Sequence, residues 1–287
     1  MRSLNIIGPG RLGKTLGRLA AASGQYRVQD CLTRSAASAQ AAVDFIGGGQ
    51  ACSQLQALRP AALSLLAVPD DAIAATAQAL ADSGAIAPGA VVFHASGAAE
   101  AAVLAPLRDV GVHVASLHPA FSFADPARAV ESFTGTLCAL EGDAAALPLL
   151  LEFAAAIGGQ PFALAPGGKA AYHAALSVAS NYLVTLTDIA RQLALQGGVD
   201  AALLPALLGP LMQGSLANAL ALGPQMALTG PIVRGDAATV ARHLAVLPAE
   251  LQPVYRALGE RTVALAGERL PAEAGQRLLA LLQGSEA

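Results

Sequence analysis

Residues 4–19 read LNIIGPGRLGKTLGRL, and the fold of the chain is decided there. Leu4, Ile6 and Ile7 form a short apolar run of the kind that makes a buried strand. The run breaks into Gly8-Pro9-Gly10-Arg11-Leu12-Gly13, after which Leu12, Leu16 and Leu19 fall at helical spacing. Strand, glycine turn and helix in that order is the context in which G-x-G-x-x-G reads as a dinucleotide site. Gly8 allows the tight turn, Gly10 lets the backbone approach a pyrophosphate, and Gly13 lets helix and strand pack closely. The helix start, from Arg11 and Leu12, then offers unpaired N–H groups and a positive dipole end to phosphates. An ordinary strand–helix turn is the competing reading, and the fit of both flanks favours the nucleotide.

At 287 residues the chain is long enough for two domains with a sizeable core. A net charge of -3 provides no basic surface, so nucleic acid is not expected as a partner. The hydrophobic share of 54% raises the question of a membrane span. No run of about 18 apolar residues escapes a proline, a glycine or a charge, so none is expected. The most apolar stretch, 199–228, is cut by Pro205, Gly209, Pro210, Gly214, Gly223 and Pro224, and reads as buried helices that include a subunit interface. The first apolar run is too short for a secretory leader and is already used as a strand. Cys31, Cys52 and Cys138, odd in number and in apolar contexts, read as reduced core thiols of a cytoplasmic protein. Lys14 and Lys169 are the only lysines.

Tyr26–Leu32 alternates as a second strand and ends in Thr33-Arg34-Ser35. The acid that holds ribose hydroxyls in NAD-binding versions is missing at that strand end, because Asp30 lies inside the strand. Arg34 with two neighbouring hydroxyls suits a 2′-phosphate, so NADP(H) is the expected cofactor. Strands and helices keep alternating. A strand at 63–68 ends in Pro69-Asp70-Asp71, with either acid expected to cap a helix over 72–81. Strands at 91–93 and 111–117 end in His94-Ala95-Ser96-Gly97 and His118-Pro119, and 136–140, a helix through 157, and 161–164 follow. This pattern predicts an α/β fold with a doubly wound, mainly parallel sheet. Ligands bind beyond the carboxyl ends of such strands, where Val68, Pro69, Ser96 and His118 fall.

From Lys169 onward the spacing is helical only. The break at Pro166-Gly167-Gly168 predicts a nucleotide-binding domain over 1–165 and an all-helical substrate and dimerisation domain over 166–287. A single helix is expected over 169–196, then helices over 201–208, 211–222, 237–247, 251–266 and 272–282.

The first of these helices carries a polar stripe. At 100° per residue, Lys169, His173, Ser177, Ser180 and Asn181 share about a third of its circumference. Such a stripe either faces water or lines a cleft, and a nucleotide domain immediately upstream favours the cleft. A lysine there could protonate a carbonyl oxygen as hydride arrives, and His173 could orient it or share the proton. His94, His113 and His118 invite a metal, but His113 and His118 point to opposite sides of one strand and lack an acidic partner, so none is expected. Ser96 lacks the glycine pattern of a hydrolase nucleophile elbow. In 227–236, ALTGPIVRGD, Arg234 could fork onto a carboxylate and Asp236 suits a helix cap.

GPGRLG at 8–13, AVPDDAI at 67–73, HASGA at 94–98, SLHPAFSF at 116–123, KAAYHAALSVASNYL at 169–183 and ALTGPIVRGD at 227–236 carry a resemblance. Together they resemble a two-part reductase-like family in which a Rossmann-type NADP-binding domain precedes a helical domain of unknown function. Its architecture is similar to ketopantoate, pyrroline-carboxylate, hydroxyacid and prephenate oxidoreductases. The resemblance implies NADPH, a small 2-oxo or imino acid substrate such as ketopantoate, and a homodimer built from the helical domain. The polar stripe and the strand ends make Lys169, His173, Asn181, Ser96 and His118 the expected catalytic residues, and Ser96, Gly97, His118, Ser177 and Arg234 the expected substrate contacts. Hydroxyacid dehydrogenases place Asn four residues after the catalytic Lys, where this chain has His173. His118-Pro119 looks like the prephenate dehydrogenase pattern. A prephenate-type dehydrogenase and a non-catalytic NADP-binding sensor or scaffold are therefore the alternatives.

Overall fold

The structure is a computed structural model that describes residues 1–165 and 167–284. Pro166 of the expected break, and the last three residues of the expected second domain, lie outside the described residues. The chain divides into two compact units, Met1–Ser180 and Asn181 onward.

The first unit is built on eight strands: β1 (Arg2–Ile7), β2 (Tyr26–Leu32), β3 (Gln50–Cys52), β4 (Leu63–Leu66), β5 (Val91–His94), β6 (His113–Pro119), β7 (Leu137–Gly142) and β8 (Gln160–Ala163). They form one sheet in the order β3-β2-β1-β4-β5-β6-β7-β8. Neighbours are parallel except β6 and β7. The doubly wound, mainly parallel sheet read from the alternation is present. Short β3, on the sheet edge, carries no period of its own and was not anticipated.

Side chains alternate across the sheet and each face has its own core. Leu4, Ile6, Leu63, Leu65, Phe93 and Leu117 pack on one face, whereas Ile7, Leu66, Val92 and Val114 pack on the other. A sheet buried on both faces needs helices on both, which is why its strands read as near-continuous apolar runs. The helices of this unit are α1 (Arg11–Ala22), α2 (Ala36–Ile46), α3 (Ile73–Ser83), α4 (Ala105–Arg108), α5 (Pro126–Ser132), α6 (Leu147–Ala156) and α7 (Lys169–Ser177). Strand order reverses between β1 and β4, and the crevice at that switch point is where such sheets take ligands. Neither Asp70 nor Asp71 caps α3 as expected. Asp70 opens a single tight turn, and its carboxylate is taken by Ser96 instead.

The second unit holds α8 (Leu183–Gln196), α9 (Leu204–Leu222), α10 (Pro224–Ala227), α11 (Ala237–Val246), α12 (Gln252–Ala266) and α13 (Ala272–Gln283). Its core joins Val240 and Leu244 with Ala266, Leu278 and Leu282. Asp200 and Asp236 cap helix starts through the amides of Ala202 and Thr239, Asp236 as its position implied. Three expectations change here. The single helix over 169–196 is interrupted by a π turn at Val178–Tyr182, a feature that often marks functional sites. The two helices expected over 201–222 are one helix, α9, which runs through Pro210. Nor is that stretch buried: Leu204 alone is covered, while Leu207, Leu211, Leu216 and Leu220 are exposed, Leu220 by 80%. A helix apolar all round is ordinarily a covered one, so this face of the unit stands out. The run Ala201–Leu222 is long and apolar enough, by length and composition, to cross a membrane.

Candidate functional site

The glycine turn sits where the sequence placed it, between β1 and α1. Gly8 has φ +75°, and a Cβ built on it would lie 2.6 Å from Val68 Cγ1, so the turn closes against the end of β4. A Cβ on Gly10 would meet only the Gly8 carbonyl, at 4.0 Å. No side chain caps α1 among the described residues. Open space over Gly10 and uncapped N–H groups behind it make a cradle that fits the pyrophosphate of a dinucleotide.

At the end of β2 the hydroxyls expected to hold a 2′-phosphate are already engaged. Thr33 Oγ1 donates to the Ser35 carbonyl at 2.6 Å, and Ser35 caps α2 by accepting from the Ser38 amide. Arg34 is exposed. Asp30 is fully buried, and its carboxylate accepts from the Arg59 backbone N–H at 2.8 Å and from the Arg59 guanidinium. It is thereby withdrawn from any ribose.

The polar centre lies beyond β5 and β6. His94 is fully buried, and its Nδ1 accepts from the Ser96 amide at 3.1 Å. The ring proton therefore sits on Nε2 and is donated to the Glu100 carbonyl at 3.2 Å. Burial first, then the Lys169 charge, push this imidazole down to about 4, so it stays neutral. Ser96 Oγ donates to Asp70 Oδ2 at 2.6 Å and accepts from the amides of Ala98 and Ala99. Ser96 thus ties the ends of β4 and β5 together.

Lys169, at the first turn of α7, is only 2% exposed. Its Nζ donates to the Ser96 carbonyl at 2.7 Å and to Ser116 Oγ, and lies 3.9 Å from Glu141 Oε1. Burial lowers this ammonium to about 8, with Glu141, then Asp70 and Glu100, acting the other way. One helical turn on, the Tyr172 hydroxyl lies 3.0 Å from His118 Nδ1, and His173 stands edge-on to His118 with ring centroids 6.0 Å apart. With the tyrosine donating, the His118 proton sits on Nε2, the nitrogen that faces Gly97. A Cβ on Gly97 would lie 2.8 Å from that nitrogen and would overlap the His173 ring. His118 is held neutral, at about 4, by burial and then by the charges of Lys169 and His173.

The first unit thus brings Ser96, Gly97, His118, Lys169 and His173 into one cluster. Ser177 is half-buried further along α7. Asn181 and Arg234 belong to the second unit and are exposed. Five residues of the cluster were not singled out for it: Asp70, His94, Ser116, Glu141 and Tyr172. Ser116 shares strand parity with His118, which is a legible signal. Glu141 faces Ser116 only through the antiparallel pairing of β6 with β7.

Residues 2–119 match the Rossmann-like domain, and residues 136–262 match a domain of unknown function, DUF2520. The chain matches the two models in that order. No curated protein matches it. Among solved structures it is similar to a candidate NADP oxidoreductase from Bacteroides fragilis, with 19% identity, a TM-score of 0.75, and 92% of this chain and 97% of that one covered. A Thermotoga maritima protein is 27% identical, with a TM-score of 0.63 and 98% of each chain covered. The 1-pyrroline-5-carboxylate reductase of Streptococcus pyogenes aligns over 99% of this chain and 98% of its own, at 11% identity and a TM-score of 0.59. At the identities of the first and third, likeness speaks for the fold.

Proposed function

We propose that the protein is an NADP(H)-dependent oxidoreductase that passes a hydride between the nicotinamide and the carbonyl or imine carbon of a small 2-oxo or imino acid, ketopantoate being the named candidate. The observation that carries this reading is the cluster at the ends of β5 and β6, in the same unit as the glycine cradle. NADPH, when bound, supplies the hydride. The substrate oxygen or nitrogen gains negative charge as hydride arrives, and needs a donor placed where that charge develops. The His118 Nε2–H beside Gly97 is such a donor, and Ser96, anchored to Asp70, holds the adjoining turn. His173 closes the other side of the Gly97 step. Ser177, further along α7 in the same unit, keeps the role of a substrate contact in this proposal. A prephenate-type dehydrogenase is the second reading, favoured by His118-Pro119 at the strand end. A panel of oxo, imino and cyclic carboxylic acids, scored by nicotinamide absorbance in both directions, tests the proposal. Binding without turnover on every member would leave a sensor or scaffold.

The preference for NADP(H) rests on Arg34, an exposed cation just beyond β2, and on the withdrawal of Asp30. Arg34→Ala is expected to weaken NADPH binding about 10- to 100-fold through lost charged hydrogen bonds, while NADH binding barely changes. Fluorescence titration with both nucleotides reads this directly. Equal losses would remove Arg34 from the 2′-phosphate.

We also propose a cytoplasmic homodimer formed through the helical unit. Cys31, Cys52 and Cys138 are free, buried thiols, which suits a reducing compartment. The exposed leucines of α9 present the apolar surface that obligate interfaces bury. Light scattering is expected to give twice the chain mass of 28.6 kDa, and Leu211→Glu to shift it toward the monomer. A monomer at micromolar concentration in the unaltered protein would end this proposal.

A further inference from the structure

We infer that Lys169 is a positioning residue of this site: its ammonium is engaged inside the protein by the Ser96 carbonyl, Ser116 and Glu141, and it fixes the Gly97 step on which the His118 and His173 rings rest, without meeting substrate. The inference rests on the proposed reaction being located at this cluster.

The geometry argues it in three steps. Lys169 is 2% exposed, and two of its three N–H bonds go to Ser96 O and Ser116 Oγ, while the third direction is covered by Glu141 at 3.9 Å. A cation at that depth persists only when paired and hydrogen-bonded, and withdrawing it toward a ligand would leave its buried acceptors unmatched. Second, the carbonyl it holds belongs to the residue just before Gly97. The other side of Ser96 is pinned through its hydroxyl to Asp70 and to the amides of Ala98 and Ala99. The peptide between Ser96 and Gly97 is therefore clamped from both ends. Third, that peptide is the floor under the two imidazoles, since even a Cβ on Gly97 would collide with both.

The ammonium also sets the field of the cluster. The groups that face it are Glu141 on β7, Asp70 after β4, Glu100 after β5, and the imidazoles of His94 and His118. Its positive charge opposes protonation of both rings, next to burial itself. A neutral His118 keeps one N–H to donate and one nitrogen to receive Tyr172. Lys169 thereby acts on the substrate through His118.

The test uses the resting protein and the accident that this chain has two lysines. Reductive methylation with ¹³C-formaldehyde on the native protein, read by peptide mass and NMR, is expected to label Lys14 and the amino terminus. Lys169 should react at least 10-fold more slowly and label fully only in denaturant. Labelling of Lys169 at the rate of Lys14 would show an amine open to ligands and overturn the inference. In a second measurement, Lys169→Met is followed by histidine ring NMR after circular dichroism confirms its fold. The His118 titration midpoint is expected to rise by about 1 pH unit or more, as befits loss of a nearby like charge, with Lys169→Arg restoring it. An unmoved midpoint in the folded variant would also overturn the inference. Should the variant fail to fold, the labelling of the unaltered protein still decides. Neither measurement needs turnover, so a failed substrate panel would count against the proposed reaction and leave this inference standing on its own result.

Discussion

Gly97→Ala is expected to lower turnover by about 100-fold or more while leaving the melting temperature close to that of the unaltered protein. Gly97 has ordinary backbone angles, so alanine introduces no strain of φ at this position. The three atoms nearest the added methyl all belong to side chains: one of the His173 ring, and His118 Nε2 and Cε1 at 2.8 and 3.0 Å. These are the outer ends of half-buried rings, which can rotate away at little cost to the fold. Rotation carries the His118 donor off its line by about 1 Å, and misplacements of that size cost catalysis about 100-fold. The glycine cradle is untouched, so NADPH affinity should hold and the loss should appear in kcat. Steady-state kinetics beside a thermal melt separates these effects. Full turnover in a folded Gly97→Ala protein would place the reacting centre elsewhere.

What could be read in the sequence, and what could not, divides by the range of the interactions. Gly8 to Gly13 was legible because its signature is local: a strand before it, a helix after it, and the G-x-G-x-x-G spacing between them. Strands β4, β5 and β6 were legible from apolar runs that end in Pro69, His94 and His118. The loss of period-two patterning beyond Lys169 marks the change to helices only, whereas the compact units divide further on, after Ser180, so that α7 belongs with the sheet. Glu141 was not legible, because it reaches Lys169 through the one antiparallel pairing in the sheet, and strand order is a tertiary decision. Tyr172 was passed over because a tyrosine on an alanine-rich helix reads as packing until His118 is brought to it. Lys169 shows the limit most clearly. Its place on a polar stripe suggested a cleft, but period alone cannot tell a side chain that lines a cavity from one that closes it. The exposure of α9 is a different case, since composition counts apolar residues and says nothing of whether the same chain can cover them.

Gly8→Ala is expected to do the opposite of Gly97→Ala, and to damage the fold and nucleotide binding together. Gly8 sits at φ +75°, where a residue with a Cβ costs about 1–3 kcal/mol. Its methyl would also lie 2.6 Å from Val68 Cγ1 and 3.1 and 3.2 Å from Val68 N and Cα. Val68 lies two residues beyond β4, next to Ala67 whose amide is bonded to Ile7 of β1, and its backbone cannot retreat without parting β4 from β1, so overpacking adds about 1–3 kcal/mol more. A total of about 2–6 kcal/mol is a large share of the 5–15 kcal/mol that holds a typical domain. The melting temperature should fall by about 10 °C, and NADPH affinity by about 100-fold or more as the cradle opens. Gly10→Ala is the control. Its Cβ would meet nothing nearer than the Gly8 carbonyl at 4.0 Å, so the fold should not notice it. If a pyrophosphate approaches that face, the same methyl stands between the phosphate and the N–H groups of α1, and binding falls while the melting temperature stays. Normal NADPH binding by Gly10→Ala would mean that no phosphate lies against this turn, and the nucleotide assignment would fall with it.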